Sequence, residues 1–336
     1  MGAIRNLTAA WMLVGVTACS ANGQGTPEGG GGYGAGPGDD SGIAVGGSGG
    51  SGGSATIDGG PTGEDSDAAP PECRNVDILF AIDNSASMAD DQQSLINSFP
   101  GFVAAIKDKL AFADSYHVGI VTTDDYAYNA QGCRKIGNLV TQTGGLESSK
   151  QDCGPFASGR RYMDDKEPDL ASKFACAAKV GSGGNDDERM ARAILEAIKP
   201  ENNAPGTCNE GFSRVDSLLI VVLITDEDDW PDVCNGEMTS CGCQTCGSGG
   251  DPDAWYKELV SYKADIPENI VVLSLLGLKA GTCAPSVCAK LIGFTNRFGD
   301  NAYKGDVCEP SYDGFFAQTL PIIDKACEKY VAPPVK

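Results

Sequence analysis

Histidine is almost absent: the 336-residue chain has one, His117. No Ser–His or Cys–His nucleophile pair with a recognisable context can be built around it, and no H-E-x-x-H occurs. Basic residues are also scarce, with 25 Lys and Arg against 46 Asp and Glu, a formal net charge of −21. That balance excludes nucleic acid as a partner, because phosphate binding needs clustered cations, and it disfavours anionic membrane surfaces. It suits solubility at a cell surface. Large apolar side chains are nearly missing from residues 23–63, which are dominated by Gly with Ser, Asp and Pro. Such a segment cannot bury enough surface to offset its ordering entropy, so a flexible tether is expected there.

What the N-terminus does contain is one Arg (Arg5), an apolar stretch from Leu7 to Val16, and then V-T-A-C. The stretch is too short to span a bilayer and reads as an export signal over residues 1–18. The small residues before Cys19 resemble a bacterial lipoprotein cleavage box, which implies lipidation of Cys19 and a tether over residues 19–72. An ordinary secretory signal is the alternative. Ser20 after that Cys resembles the outer-membrane form. Of 14 Cys, 13 then remain in an oxidising compartment, where disulfides are expected.

The most informative stretch is V-D-I-L-F-A-I-D-N-S-A-S-M, residues 76–88. A buried strand runs straight into a D-x-S-x-S loop, so Asp83, Ser85 and Ser87 present oxygens at alternate positions. One carboxylate and two hydroxyls suit a hard cation, Mg²⁺, Mn²⁺ or Ca²⁺. A second apolar run, Leu218–Ile224, ends the same way in Thr225, Asp226, Glu227, Asp228 and Asp229. The bland alternative is that Asp83 caps the next helix and the serines satisfy backbone N–H groups.

These residues resemble the metal-ion-dependent adhesion site of von Willebrand factor A domains, in the form seen in bacterial surface lipoproteins. The likeness covers residues 76–330. It implies that Asp83, Ser85, Ser87 and Asp226 bind the cation and leave one position open for a carboxylate from a protein ligand. It also implies a further Thr ligand before the helix near Asp187. This chain has Gly181-Ser182-Gly183-Gly184-Asn185 there, so Ser182 or Asn185 is the expected substitute.

Along the rest of the chain, helices and strands alternate. Strands are expected at 76–82, 117–123, 218–224, 270–276 and, at an edge, 303–307. Helices are expected where apolar residues recur at three- and four-residue steps: 95–110 with a kink or restart at Pro100-Gly101, 188–198, 255–262, 286–297 and 315–330. Residues 126–174 read as a long loop insertion pinned by Cys133 and Cys153, and 234–246 as a second Cys-rich insertion. The expected fold is α/β, a doubly wound, mostly parallel sheet flanked by helices, with Cys-rich loop insertions. The domain should span 73–330, with a tail at 331–336. Its ligands belong beyond the C-terminal strand ends.

For disulfides, Cys73 with Cys327 flanks the domain, and Cys283 with Cys288 is a local pair. Cys234, Cys241, Cys243 and Cys246 could hold Zn²⁺, although disulfides fit an exported protein better. Asp124, Asp125, Glu227, Asp228 and Asp229 read either as a second, Ca²⁺-type site or as a solvated acidic rim. The sequence therefore points to a non-enzymatic, lipid-anchored module at the bacterial outer membrane or cell surface. It would bind a protein through a divalent cation and use no small-molecule cofactor. A Ca²⁺-stabilised envelope scaffold is the main alternative, and an envelope hydrolase a remote one.

Overall fold

A computed structural model of the chain describes residues 73–109, 113–184, 188–229, 247–281 and 283–334, all within the unit Glu64–Lys336. The signal, Cys19, the tether, Asn185 and Cys234 to Cys246 lie outside these residues. Apolar strands β1 (Asn75–Ile82), β2 (Ser115–Thr122), β4 (Leu218–Thr225) and β5 (Ile270–Leu276) are buried nearly throughout. That is how parallel strands covered on both faces read in sequence. With β3 (Met163–Asp164) and β6 (Ala302–Asp306) they form one sheet of order β3-β2-β1-β4-β5-β6. All pairings are parallel except β2 with β3.

Helices cover both faces. α1 (Ala89–Lys109), α2 (Leu170–Ala178) and α6 (Asp313–Glu328) bury Phe99, Phe102, Phe174 and Phe316 with Phe80 of β1 on one side. Phe99 and Phe174 stack at 3.3 Å between ring centroids, so α2 is bound into this core. On the other side α3 (Met190–Ile198), α4 (Pro252–Tyr262) and α5 (Ala289–Asn296) bury Ile194, Trp255, Leu259 and Phe294 against Leu79, Val221 and Val272. No described helix is long and apolar enough to cross a membrane.

Several expectations need correction. α1 runs unbroken through Pro100, because Pro100 and Gly101 lie on its exposed face. There water can satisfy the carbonyl that a proline leaves without a donor, while Leu95, Phe99, Phe102 and Ile106 stay buried. The insertion at 126–174 is not loop throughout: it holds β3 and the first turn of α2, whose Leu170, Phe174 and Ala177 step by four and three. Cys133 and Cys153 do pin that insertion, Cys133 through Cys208 and Cys153 through Cys176. Cys283, however, does not pair with Cys288. It bonds Cys308, and Cys288 is a buried free thiol. The two cysteines pack on opposite faces of the sheet, Cys283 against the α1/α6 core and Cys288 within the α3/α5 core. The expected Cys73–Cys327 bond is present and joins the start of β1 to the end of α6.

At the N-terminal end of the strands, buried Asp77 accepts from Arg214 Nε at 2.8 Å, Arg214 Nη2 at 2.6 Å and the Ser217 hydroxyl at 2.5 Å. The fully buried Lys263 joins through Ser217 at 3.0 Å, and burial pulls its pKa down to about 8. His117 belongs here too, with Nδ1 2.9 Å from the Phe212 carbonyl and 3.4 Å from Asp77. This network lies the length of a strand, roughly 20 Å, from the acidic strand ends.

Candidate metal centre

Strand register brings the acidic ends together. Ile82 is level with Thr122 on one side and Ile224 on the other, so Asp83, Thr123, Thr225 and Asp226 leave the sheet side by side. Strand order reverses between β1 and β4, which makes this the switch point where such sheets open a crevice for ligands.

Asp83 is fully buried, and both of its oxygens are held. The Ser85 N–H donates to Oδ1 at 2.7 Å and the Thr225 hydroxyl to Oδ2 at 2.7 Å. Gln92 ties the loop down, donating to the Asp83 carbonyl at 2.9 Å and exchanging bonds with Gly181 at 2.9 and 3.0 Å. Gly184 donates to the Asn84 carbonyl at 2.8 Å, and a Cβ there would lie 2.4 Å from the Asn84 side chain, so only glycine fits. Ser85 is buried and Ser87 exposed, with their hydroxyls 3.4 Å apart. The crevice therefore opens to solvent at Ser87.

Asp226 and a residue that sequence reading missed, Glu188, complete the acidic group. Both are wholly buried, and no oxygen of either carboxylate makes a hydrogen bond. The Ser87 hydroxyl faces Asp226, while Asp83 and Thr123 face Glu188, none at ordinary bonding geometry. Read as the first turn of a helix, Glu188 instead precedes α3, which begins at Met190. Its approach to Asp83 is a tertiary fact with no local signal. Ser182, an expected substitute for the missing Thr, is committed elsewhere: its hydroxyl donates to Glu147 at 2.6 Å.

Three of the neighbouring acids are held by backbone N–H groups. Asp228 accepts from the Lys290 and Leu291 N–H groups at 3.0 and 3.1 Å, capping α5. Buried Asp229 accepts from Ala191 N–H at 2.8 Å and from Ser248, capping α3. Asp125 accepts from Ile136 N–H at 2.8 Å. Acids at helix N-termini are favoured by the exposed N–H groups and the helix dipole.

Burial raises the pKa of all three site acids: Asp83 to about 6, Glu188 well above the usual carboxylate range, and Asp226 upward. Asp83 adds repulsion at Glu188, and Asp226 adds it at Asp83. Unfolded carboxylates titrate near 4. The folded state therefore binds protons more tightly, and the stability so gained is complete below about 4 and lost as pH rises through the folded values near 6 and above. Without divalent cation, the melting temperature should fall between pH 5 and pH 7.5, and saturating Mg²⁺ should flatten the fall. A chelated protein whose melting temperature is level or rising over that interval contradicts this electrostatic account.

No protein-family model matches the sequence, and comparison with the curated proteins finds no match. Among solved structures, the chain is similar to proximal thread matrix protein 1 of the mussel byssus at 16% identity. That match covers 77% of this chain and 47% of the other, with a TM-score of 0.35. It is similar to the pilus adhesin SpaC of Lactobacillus rhamnosus GG at 16% identity, over 76% of this chain and 30% of that one, with a TM-score of 0.39. A human COPII-coat protein matches at 11% identity over 76% of this chain and 33% of its own, with a TM-score of 0.33. The chain spans less than half the length of each. Likeness at this level says nothing of what the chain binds.

Proposed function

We propose that this domain binds a protein partner through a divalent cation held at the β1/β4 switch point. Ser85, Ser87, Asp83, Asp226 and Glu188 supply the oxygens, and a carboxylate of the partner completes the shell. One observation carries the reading: buried Asp83 is repelled by Asp226 and itself repels Glu188, both buried as well, and four of the six carboxylate oxygens lack a hydrogen bond. Buried charge without compensation is costly, and none of the three forms an ion pair among the described residues. A cation would supply the missing compensation and bridge two surfaces that otherwise repel.

The donor set fits Mg²⁺, Mn²⁺ or Ca²⁺, which take oxygen ligands. Among the described residues no group of three or more His, Cys, Asp or Glu is arranged to hold a metal alone. Hydroxyls and water must therefore share the shell, as Mg²⁺ in particular prefers. Glu188 stands in for the absent Thr. Calorimetric titration with Mg²⁺ tests this: Glu188→Gln should weaken binding about tenfold or more, the effect of losing one charged ligand, while Ser182→Ala should not. Equal affinity in wild type and Glu188→Gln removes Glu188 from the site.

The same proposal places the domain outside the cytoplasm, exported and lipid-anchored at Cys19 on the bacterial surface, with no catalytic role. Its four described disulfides fit an oxidising compartment. A second reading, a scaffold that takes up Ca²⁺ only to hold its loops, draws on Asp228 and Asp229. These lie just beyond Asp226 in the chain and cap α5 and α3, so a cation at Asp226 would also stiffen both helix starts. Under that reading Asp83→Ala destabilises the protein without affecting a partner.

A further inference from the structure

Strand β6 ends the sheet, and among the described residues no strand pairs with its outer side. Its ladder to β5 fixes which backbone groups face outward. Just past β6, Val307 N–H donates to the Leu276 carbonyl at 3.0 Å, and bonding residues alternate along such a ladder. Tyr303, Gly305 and Val307 therefore turn their N–H and C=O groups to β5, while Lys304 and Asp306 turn theirs away. The Asp306 carbonyl is engaged by Glu309 N–H at 3.3 Å. Lys304 N–H, the Lys304 carbonyl and Asp306 N–H have no such backbone partner among the described residues.

Proteins ordinarily blunt such an edge with prolines or outward lysines. β6 has no proline, and its residues are all half-buried rather than covered. Its one lysine, Lys304, is drawn over the α5 face, where Nζ donates to the Asn296 side chain. Asp306, two residues on, shares that face. On the α6 face a groove of about 370 Å³ follows the same edge, with Leu275, Tyr303, Gly305, Tyr312 and Phe315 in its walls. The Tyr303 ring lies 5.5 Å from that of Phe315. Gly305 must be glycine, because a Cβ there would stand 2.5 Å from the Phe315 ring. The strand thus leaves its α6 face bare between Tyr303 and Val307. An aromatic side chain on a neighbouring strand, level with the glycine, is the cover such a gap accepts.

We propose that β6 is a docking edge to which a partner protein adds an extended segment as one more parallel strand. The segment carries Phe, Tyr or Trp level with Gly305, an acid level with Lys304 and a base level with Asp306. In that register the aromatic residue's N–H donates to the Lys304 carbonyl and its carbonyl accepts from Asp306 N–H. An antiparallel segment would need the Asp306 carbonyl, which Glu309 already engages. Acid against Lys304 and base against Asp306 are favourable cross-strand pairs. A second copy of the chain fits less well: two-fold pairing about Gly305 brings glycine to the gap, and two chains of −21 repel. No cation takes part.

Short linear Thr-rich peptides test this, each with one central residue varied, Glu before it and Lys after it. They are titrated against the full chain by fluorescence polarisation in chelator, which silences the cation site. Phe, Tyr or Trp at the centre should bind about tenfold or more tighter than Gly, as burial of one large apolar side chain requires. N-methylation of the central residue should abolish binding, and N-methylation of its two neighbours should not. Lys304→Pro removes an outward N–H and leaves the β5 ladder whole, so binding should weaken about tenfold with the melting temperature nearly unchanged. If that variant does not fold, the N-methylated peptides decide alone. No binding at millimolar peptide, indifference to the central residue, or any other pattern of N-methylation overturns the inference. Dimers in sedimentation that Lys304→Pro dissolves would make a second copy the occupant and overturn it too.

Discussion

In about 10 mM Mg²⁺ the wild-type protein should melt roughly 5 °C or more above its melting temperature in chelator, and Asp83→Ala should abolish the difference. An ion at a hundred times its dissociation constant stabilises by about 2.7 kcal/mol, and each kcal/mol moves a domain of this size by about 2–4 °C. Asp83 is the hinge of that response: it is fully buried, and its oxygens orient Ser85 and Thr225. Asp226→Asn is the companion variant. Asp226 makes no hydrogen bond, so its replacement breaks none and removes a buried charge. In chelator at neutral pH Asp226→Asn should melt at or above wild type, yet it should lose the Mg²⁺ response. Binding of a partner, read with and without chelator, should disappear in both variants. A wild-type protein indifferent to Mg²⁺, Mn²⁺ and Ca²⁺ would remove the basis of the proposed function.

The second large effect concerns the covalent frame. Replacing Cys73 and Cys327 together by Ala should destabilise the domain by about 5 kcal/mol, because the bond closes a loop of 254 residues in the unfolded chain. Removing Cys153–Cys176, with a separation of 23, should cost nearer 3 kcal/mol on the same chain-entropy argument. Denaturant unfolding measures both. Cys73 and Cys327 are buried in the α1/α6 core, so alanine keeps that environment apolar. A loss below about 1 kcal/mol for the long loop would mean that the unfolded chain is not governed by loop entropy here.

The sheet and the D-x-S-x-S loop were legible because both are local patterns. An unbroken apolar run such as Leu218–Ile224 has one comfortable place, a strand covered on two faces, and helical spacing between such runs forces a parallel sheet. Helix α2 was equally local, with Leu170, Phe174 and Ala177 in step, but a field of Gly, Cys and charge around it masked the period. Cysteine pairing was not local. Cys283 and Cys288 are neighbours in sequence, yet the chain between them sends one to each face of the sheet.

Glu188 and the run Asp226 to Asp229 mark the boundary most clearly. Four acidic residues in succession look alike in sequence. Asp226 is buried without a hydrogen bond, while Asp228 and Asp229 are spent on the N-termini of α5 and α3. What the amino-acid order determined alone was the strand-and-helix alternation and the loop that turns Asp83, Ser85 and Ser87 together, because hydrophobic period and short-range spacing act within one element. What only the tertiary structure decided was which distant acid faces Asp83 and which acids become caps. Those depend on strand register and on where helix ends land, quantities set by the packing of both faces at once.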